Sequence, residues 1–360
     1  MTLEALGWDD FFAQAFAPHA AAGRAPARVT LQLRGYCEVT GTAGAQLGEV
    51  TGRFIHDAAA TAAFPAVGDW VAVTPKAGDP TRAHIHAVLP RRTKFSRRAA
   101  GEEAAVEQVV AANIDTVFLV SALDGTYRLR RLERYLAAAW ASGAQPVVLL
   151  NKADLAADAD AGRAEIAGAL PGVPVHVVSA QTRRGLNALA PHLQPGTTLA
   201  LLGPSGVGKS SLINRLVGDH VQLTQEVRDL DGKGRHTTTN RELIVAPGGF
   251  IVIDTPGMRE IQPWEAEAGV AAAFDDVAAI AARCRFRDCA HTVEPGCAVQ
   301  AALADGTLEL ARWQSFLRLR RATAHEARQG SRPAQVRHQT EMKKLTKGLR
   351  QRIREKQGDE

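Results

Sequence analysis

The sequence predicts a multidomain protein with an antiparallel β-barrel near its N-terminus, a central α/β domain and a mainly helical C-terminal domain. Three observations support this fold class. Short β-like runs separated by Gly and Pro turns fill residues 24–100. Strand patterns then alternate with amphipathic helix patterns, which favours a mainly parallel sheet. Three of the four cysteines follow within one short segment. We therefore expect domains at 1–100, 101–265 and 266–360.

The N-terminal barrel is predicted from its strand composition. Residues 29–33 and 69–73 are β-like runs, and turn residues separate such runs. Many short strands fit an oligonucleotide-binding barrel, the OB-fold, and an SH3-like barrel fits nearly as well. The basic run at 91–98 then leads into the central domain, either as a solvated linker or as a contact for RNA phosphates.

The central domain carries a phosphate-binding loop of the pattern G-x-x-x-x-G-K-S at 203–210. Glycines let successive backbone N–H groups point at phosphate oxygens, while Lys209 reaches the β- and γ-phosphates and the Ser210 hydroxyl binds magnesium. Residues 198–202 form a buried strand pattern before the loop, and 211–217 form a helix pattern after it. Lys209 is also assigned a catalytic role. The residues assigned to nucleotide binding here are Gly203, Ser205, Gly206, Val207, Gly208, Lys209, Ser210 and Ser211.

An N-K-x-D motif at 151–154 follows the apolar strand pattern 147–150 and indicates recognition of guanine. Asp154 can accept two hydrogen bonds from the ring N–H and the exocyclic amine of guanine. Adenine lacks this donor pair and would leave the carboxylate unpaired. We expect Lys152 to pack along the base and Asn151 to tie this loop to the phosphate loop.

A further strand pattern at 175–178 supports the same base site. It ends in Ser179 and Ala180, where a backbone N–H can meet the carbonyl oxygen of guanine. Taken alone, the motif at 151–154 could instead cap the N-terminus of a helix. Its combination with the phosphate loop favours guanine.

Two more segments are predicted to sense the γ-phosphate. The D-T-P-G run at 254–257 follows the apolar residues 250–253. We expect Asp254 to hold magnesium through water and the Gly257 N–H to contact the γ-phosphate. Between this run and the phosphate loop lies the segment 232–239, which is rich in Gly and Thr.

The segment 232–239 is expected to complete the magnesium site and the catalytic site. Thr238 is the favoured magnesium ligand, with Thr237 next, and Thr238 is also assigned a catalytic role. Met258 occupies the position after D-T-P-G, where many GTPases place a glutamine that orients the attacking water, and methionine has no proton to donate. His236 is the nearest candidate to position that water, because phosphoryl transfer depends chiefly on positioning and charge stabilisation.

These motifs belong to a guanine-nucleotide-binding GTPase, but their order along the chain is unusual. An ordinary GTPase runs from phosphate loop through the two switch segments to the base-binding motif. Here the base-binding motif at 151–154 comes first and the D-T-P-G run at 254–257 comes last. The cyclic order is preserved, which indicates circular permutation. In this order the chain runs from Gly257 straight into the C-terminal domain. We therefore hypothesise that a γ-phosphate contact at Gly257 fixes the position of that domain against the GTPase domain.

A cluster of potential metal ligands lies in the C-terminal domain. Its spacing is C-x4-C-x-H-x5-C, and three thiolates with one imidazole complete the tetrahedral shell of a structural zinc site. A disulfide would leave one thiol over and requires an oxidising compartment. Cys37 is isolated and is predicted to be a core or strand residue. The predicted zinc ligands are Cys284, Cys289, His291 and Cys297.

Composition constrains the partners. Residues 311–360 contain fourteen Lys or Arg and five Asp or Glu, a net charge of +9, whereas the whole chain carries +5. This basic tail is either a solvated face or an RNA-binding segment. No apolar run approaches twenty residues, and the N-terminus lacks a secretion signal pattern. We expect a cytoplasmic monomer that does not bind membranes.

The combination of these features resembles the circularly permuted, small-ribosomal-subunit-dependent GTPases of the RsgA/YjeQ family. The resemblance rests on the barrel, the motif order, the phosphate loop, the R-H-T-T-T and D-T-P-G runs and the Cys/His spacing. It implies an OB-fold, a central GTPase and a zinc-binding C-terminal domain. It also implies GTP hydrolysis stimulated by the small (30S) subunit, contact with its rRNA and a role as a checkpoint in late subunit maturation.

Two other functions remain as alternatives. The protein could be a nucleotide-gated RNA-binding module with little catalysis, which the methionine at position 258 keeps open. A tRNA-modification GTPase is the third hypothesis, although those proteins keep the usual motif order. The alanine-rich segment 157–172 lies outside the nucleotide motifs and receives no function from its pattern.

Overall fold

A computed structural model gives the fold of the chain. It describes residues 1–32, 36–58, 60–98, 107–125, 127–170, 172–218, 241–254, 274–292, 294–310, 312–314, 316–318 and 320–321. The predictions for His236, Thr238 and Gly257 fall outside these residues, as do Met258 and the basic tail beyond residue 321.

The N-terminal part is a five-stranded barrel, as predicted. Its strands are β1 (Ala25–Gln32), β2 (Cys37–Gly41), β3 (Gly44–Val50), β4 (Trp70–Lys76) and β5 (Asp79–Val88). They pair in the order β1-β2-β3-β5-β4, and β4 closes the barrel by pairing with β1. All pairs are antiparallel except β3 with β5. Cys37 is a buried strand residue that helps to fill the barrel core.

Two helices accompany the barrel. Helix α1 (Asp10–Ala21) precedes β1 and is capped at its N-terminus by Asp9, whose carboxylate accepts hydrogen bonds from the N–H groups of Phe11 and Phe12. Helix α2 (Gly52–Asp57) connects β3 to β4. Phe12 and Phe16 of α1 are buried with Trp70 of the barrel, so the N-terminal helix is part of the folded unit.

The central part is a mainly parallel sheet with helices on both faces. A two-stranded hairpin, β6 (Lys94–Arg98) and β7 (Glu107–Ala112), leads into it. The sheet strands are β8 (Thr116–Ala122), β9 (Gln145–Asn151), β10 (Val175–Val177), β11 (Thr198–Leu202), β12 (Arg241–Val245) and β13 (Ile251–Asp254). Their order is β10-β9-β8-β11-β13-β12, and β12 alone among these six runs antiparallel to its neighbour.

Three helices flank this sheet among the described residues: α3 (Leu129–Ser142), α4 (Ala159–Ala169) and α5 (Lys209–Val217). Most of the alanine-rich segment thus forms α4, which is capped at its N-terminus by Asp158, whose carboxylate accepts a hydrogen bond from the N–H of Ala161 at 2.9 Å. Buried residues of α3 pack on one face of the sheet, and those of α5 pack on the other.

The barrel and the central sheet are joined by backbone pairing. Strand β1 pairs with β12 through Leu31 opposite Glu242 and Gln32 opposite Arg241. The two parts therefore form one continuous sheet of eleven strands. The basic run at 91–98 is also built into the fold, because Arg91 pairs with the buried Asp69 at 2.7 Å and residues from 94 onward form β6.

The C-terminal part contains α6 (Asp275–Ala281) and α7 (Ala298–Ala304), with the Cys/His segment between them. It packs on the same face of the sheet as α3. The rings of Trp140 and Phe274 meet edge to face at 5.5 Å, and the Arg318 Nε atom lies 3.0 Å from Glu133 Oε1. In the parts of the chain that the structure describes, no helix is long and apolar enough to span a membrane.

Candidate nucleotide-binding and metal sites

The predicted nucleotide-binding residues gather at one edge of the central sheet. Each follows or ends a parallel strand: Asn151 ends β9, Ser179 follows β10, Gly203 follows β11 and Asp254 ends β13. The carboxyl ends of parallel strands lie at the same edge, where α/β sheets bind ligands. Residues separated by up to a hundred positions are thus brought together by the strand order alone.

The phosphate loop has a backbone that depends on its glycines. Gly206 and Gly208 have φ values of +82° and +91°, in the left-handed region that favours glycine. A Cβ atom at Gly208 would collide with the Asn151 amide nitrogen, and one at Gly203 would collide with the Val120 carbonyl. The Val207 side chain is buried and anchors the loop, whereas Ser205, Gly206, Ser210 and Ser211 are exposed.

Lys209 lies at the first position of α5 and folds over the phosphate loop. Its Nζ atom donates to the carbonyl oxygens of Gly203 at 2.7 Å and Pro204 at 2.6 Å. The ammonium group is therefore held against the loop that the sequence predicts to bind phosphate. The N-terminus of α5 adds partial positive charge at the same place.

Asn151 connects the base-binding motif to two other loops. Its side chain is 1% exposed, and its Nδ2 atom donates to the Val207 carbonyl at 2.8 Å. This is the contact with the phosphate loop that the sequence predicts. The Oδ1 atom accepts a hydrogen bond from the N–H of Ala180 at 3.1 Å. One amide thus fixes three chain segments, and removing it would leave buried polar groups unpaired.

The carboxylate of Asp154 is exposed and is oriented by a buried neighbour. The Ser179 hydroxyl donates to Asp154 Oδ1 and also accepts a hydrogen bond from the N–H of Thr182 at 3.0 Å. Ser179 is fully buried, so its position is set by the surrounding backbone. The acceptor that the sequence assigns to guanine is therefore held at the rim of the site.

Two contacts in this region involve residues that the sequence did not single out. Lys152 Nζ forms an ion pair with Asp124 Oδ2 at 2.9 Å, and Arg215 Nε donates to the Ala180 carbonyl at 3.0 Å. Asp124 follows β8 at the same sheet edge, and an acidic residue directly after a buried strand is a usable signal. Arg215 lies on the helix α5 and carries no such local signal.

Asp254 is half-buried at the end of β13, in register with Glu242 of β12. It lies at the same sheet edge as the phosphate loop, since β13 runs parallel to β11 with Ala200 opposite Ile253. Carboxylate oxygens at this edge suit a hard divalent cation. The other predicted magnesium and γ-phosphate residues, Thr238 and Gly257, lie outside the described residues.

The four predicted metal ligands converge on one point. Their donor atoms all lie within 4.8 Å of one another. The Cys284 and Cys297 sulfurs are 3.9 Å apart, and each lies 3.5 Å from the His291 Nδ1 atom. Cys289 is the fourth member. The residues therefore form a Cys3His cluster that could hold a metal ion.

The loop around this cluster is held by a small number of polar contacts. Glu294 accepts hydrogen bonds from the N–H groups of Ala290 at 2.9 Å and Thr292 at 2.8 Å. Gln300 Nε2 donates to the His291 carbonyl at 2.6 Å, and the Cys297 sulfur accepts from the Gln300 N–H at the start of α7. The His291 ring packs edge to face against Trp313.

Comparison with known proteins places these features in a family. A family model described as RsgA GTPase matches residues 88–264. A model described as ABC transporter matches residues 186–354, which include the phosphate loop that many nucleotide-binding proteins share. The small ribosomal subunit biogenesis GTPase RsgA of Opitutus terrae is 52% identical to this chain over 362 residues, 98% of each chain. The protein of that name from Syntrophotalea carbinolica is 44% identical over 93% of each chain.

Two solved structures share the fold. YjeQ from Thermotoga maritima gives a TM-score of 0.61 at 26% identity, covering 84% of this chain and 99% of that one. YloQ, described as a circularly permuted GTPase, gives a TM-score of 0.58 at 23% identity, covering 84% and 96%, which supports the fold alone. The permuted motif order, the Asn151 contacts and the near full-length identity agree. The chain therefore belongs to the RsgA family of circularly permuted GTPases, which are GTP hydrolases.

Proposed function

We propose that this protein hydrolyses GTP as a maturation and checkpoint factor for the small ribosomal subunit and that it binds the RNA of that subunit. The observation that carries this proposal is the 52% identity, over 98% of both chains, to a protein named for small ribosomal subunit biogenesis. The hydrogen bonds by which Asn151 joins three loops support the proposal, because guanine nucleotide would bind across those loops.

Guanine nucleotide would bind across the three loops that Asn151 connects. Asp154 would accept hydrogen bonds from the guanine ring, and the segment of Ser179 and Ala180 beside it would contact the guanine carbonyl. The phosphate loop surrounds the phosphates with N–H groups, and Lys209 leaves its two loop carbonyls to pair with phosphate oxygens. A nucleotide with adenine in place of guanine would leave polar groups of this site unpaired. A nucleotide that lacks the γ-phosphate would do the same.

Magnesium would be held by hard oxygen ligands at the same sheet edge. Ser210 is exposed at the first turn of α5, and the half-buried Asp254 ends the adjacent strand. Thr238 is the proposed third protein contact. When bound, the ion neutralises charge on the phosphates. His236 is the proposed group that orients the attacking water, because the methionine at position 258 has no suitable donor.

Zinc is the metal that the Cys3His cluster fits. Zinc bonds of about 2.3 Å to sulfur and 2.0 Å to nitrogen give tetrahedral edges of about 3.8 Å between sulfurs and about 3.5 Å between sulfur and nitrogen. The Cys284 and Cys297 sulfurs are 3.9 Å apart and each lies 3.5 Å from His291 Nδ1, and all four donor atoms lie within 4.8 Å of one another. Four protein ligands complete the shell, so one zinc ion per chain would be structural rather than catalytic.

GTP turnover with and without purified small subunits tests the proposed function. We expect slow intrinsic hydrolysis that small subunits raise by at least about tenfold, and no increase with large subunits. The Lys209→Ala variant should show neither activity. Stimulation by both kinds of subunit would contradict a specific role. GTP binding without turnover under any condition would favour an RNA-binding module instead.

A further inference from the structure

A buried arginine lies where the barrel meets the central sheet. Arg28 is in β1 and is 1% exposed. Its guanidinium lies beside the ring of Trp70, at 5.7 Å from the ring centroid. Burial lowers the pKa of Arg28 to about 10, so the side chain still carries its charge at neutral pH. A charge in such a place must be satisfied by fixed polar groups.

The polar groups around Arg28 come from four separate parts of the chain. Its Nη1 atom donates to the carbonyl of Leu6, in the N-terminal segment, and its Nε atom donates to the carbonyl of Gly68, in the barrel, at 3.2 Å. The Nη2 atom donates to the Asn113 carbonyl at 3.2 Å and to the Thr198 hydroxyl at 3.0 Å. One side chain thus binds the N-terminal segment, the barrel, the connection after β7 and the central sheet.

The last of these contacts reaches the phosphate loop through one short strand. Thr198 is the first residue of β11, whose five residues are all buried and end directly at Gly203. The backbone of Thr198 is also held in place, because its N–H donates to Asp115 Oδ2 at 2.8 Å and its carbonyl accepts from the Asp115 N–H at 2.9 Å. Arg28 and the phosphate loop are therefore connected through one short buried strand whose first residue is held on both sides.

A second contact joins the barrel to the strand that carries Asp254. Gly68 has a φ of +89°, and a Cβ atom there would lie 2.9 Å from the Ile253 side chain. Leu31 of β1 is also in register with Glu242 of β12, which pairs with Asp254. The barrel thus touches both strands that end at the predicted phosphate and magnesium residues.

We propose that Arg28 is a positioning residue that couples the barrel to the phosphate loop through the Thr198 hydroxyl. Nucleotide binding then orders the barrel, and a macromolecule bound to the barrel changes the affinity of the phosphate loop for nucleotide. The reciprocity follows because coupling between two sites acts equally in both directions. This inference rests on the proposed nucleotide site, but not on the identity of the macromolecule.

The sharpest variant is Thr198→Val, which removes one hydroxyl and preserves the buried shape. Its matched control is Thr116→Val, a buried position at the start of the neighbouring strand β8. Amide hydrogen exchange is measured with and without GDP. In the wild type, we expect GDP to slow exchange at least about threefold in β1 and β4 as well as in β11. In Thr198→Val, GDP should still protect β11, and the GDP affinity should stay within about threefold of wild type. Protection of β1 and β4 should fall by more than half.

A second pair of variants separates coupling from stability. Arg28→Met removes the coupling group, and Arg91→Met removes a comparable arginine whose described partners, Asp69, Ala62 and Phe64, all lie in the barrel. Both should lower the thermal midpoint, but only Arg28→Met should abolish GDP protection of β4. Equal protection of the barrel in the wild type and Thr198→Val would overturn the coupling. If GDP binds and the wild-type barrel is not protected, the coupling alone fails, whereas failure to bind GDP would remove the proposed function as well.

Discussion

The nucleotide site and the Cys3His cluster are assembled in opposite ways. The described residues that are predicted to bind nucleotide span positions 151 to 254 and meet because the five parallel strands of the central sheet lie in a fixed order. The metal ligands span only positions 284 to 297, between two helices of seven residues each. Helices this short are marginal by themselves. We therefore expect the sheet to hold the described part of the first site ready without its ligand, and the second region to depend on the metal it would bind.

This difference predicts opposite outcomes when each site is broken. A change in the nucleotide loops should abolish chemistry and spare the fold. A change in the metal cluster should damage the local fold and spare nucleotide binding. Four variants test the contrast, beginning with the largest expected effect.

Lys209→Ala should lower GTP turnover by about 1,000-fold, because it removes the ammonium that stabilises charge on the transferred phosphoryl group. The thermal midpoint should stay within about 2 °C of wild type, since the lysine lies over the phosphate loop and donates to the Gly203 and Pro204 carbonyls. Lys76→Ala, on the barrel, is the control and should retain full turnover. A Lys209→Ala protein with normal turnover would remove the phosphate-loop assignment.

Cys289→Ser should reduce the zinc content from one per chain to a small fraction and cost about 3 kcal/mol of stability in the C-terminal part. Trp313 is 6% exposed and packs on His291, so its fluorescence should shift to the red. Cys37→Ala, at the buried barrel cysteine, should keep the zinc and cost about 1 kcal/mol. Full zinc content and an unchanged midpoint in Cys289→Ser would refute the ligand assignment.

Asp154→Asn should weaken GDP binding by about 100-fold and leave the weak binding of ATP unchanged, because an acceptor is replaced by a partial donor. Asp158→Asn lies four residues away and caps α4 through the Ala161 N–H. It should leave nucleotide selectivity as it is. Competition of ATP and GDP against a labelled GDP measures both, and equal displacement by ATP in the wild type would contradict the guanine assignment.

Asp124→Asn should have the smallest effect. The Lys152–Asp124 pair leaves 31% and 22% of the two side chains exposed, and an ion pair of this kind contributes about 0.5–1 kcal/mol. We expect GDP affinity to fall by about threefold. A loss above about 30-fold would mean that Asp124 contacts the nucleotide or its metal directly.

The parts of the site that follow local sequence patterns could be predicted. The strand at 198–202 coincides with β11, and the glycines of the phosphate loop have the positive φ values that their pattern implies. The zinc ligands converge as their spacing indicates. The barrel prediction is confirmed, although β3 and β5 pair in parallel, so the barrel is not wholly antiparallel.

Long-range pairings could not be predicted. The contacts of Arg28 with Thr198 and of Arg215 with Ala180 join residues 170 and 35 positions apart. Such contacts depend on strand register and helix placement, which leave no local periodicity. The role of Arg91 in the basic run at 91–98 could not be predicted for the same reason, because its ion-pair partner is an aspartate more than twenty residues earlier. The domain boundaries at residues 100 and 265 remain predictions.

Metal removal tests the contrast between the two sites most directly. GDP affinity is measured by titration calorimetry before and after the protein is stripped with a chelator, with metal content and total tryptophan fluorescence recorded on the same samples. We predict that stripping exposes Trp313 and lowers the stability of the C-terminal part, while the GDP dissociation constant changes by less than about threefold. A loss of GDP affinity of tenfold or more would contradict the claim that the sheet alone holds the nucleotide site ready.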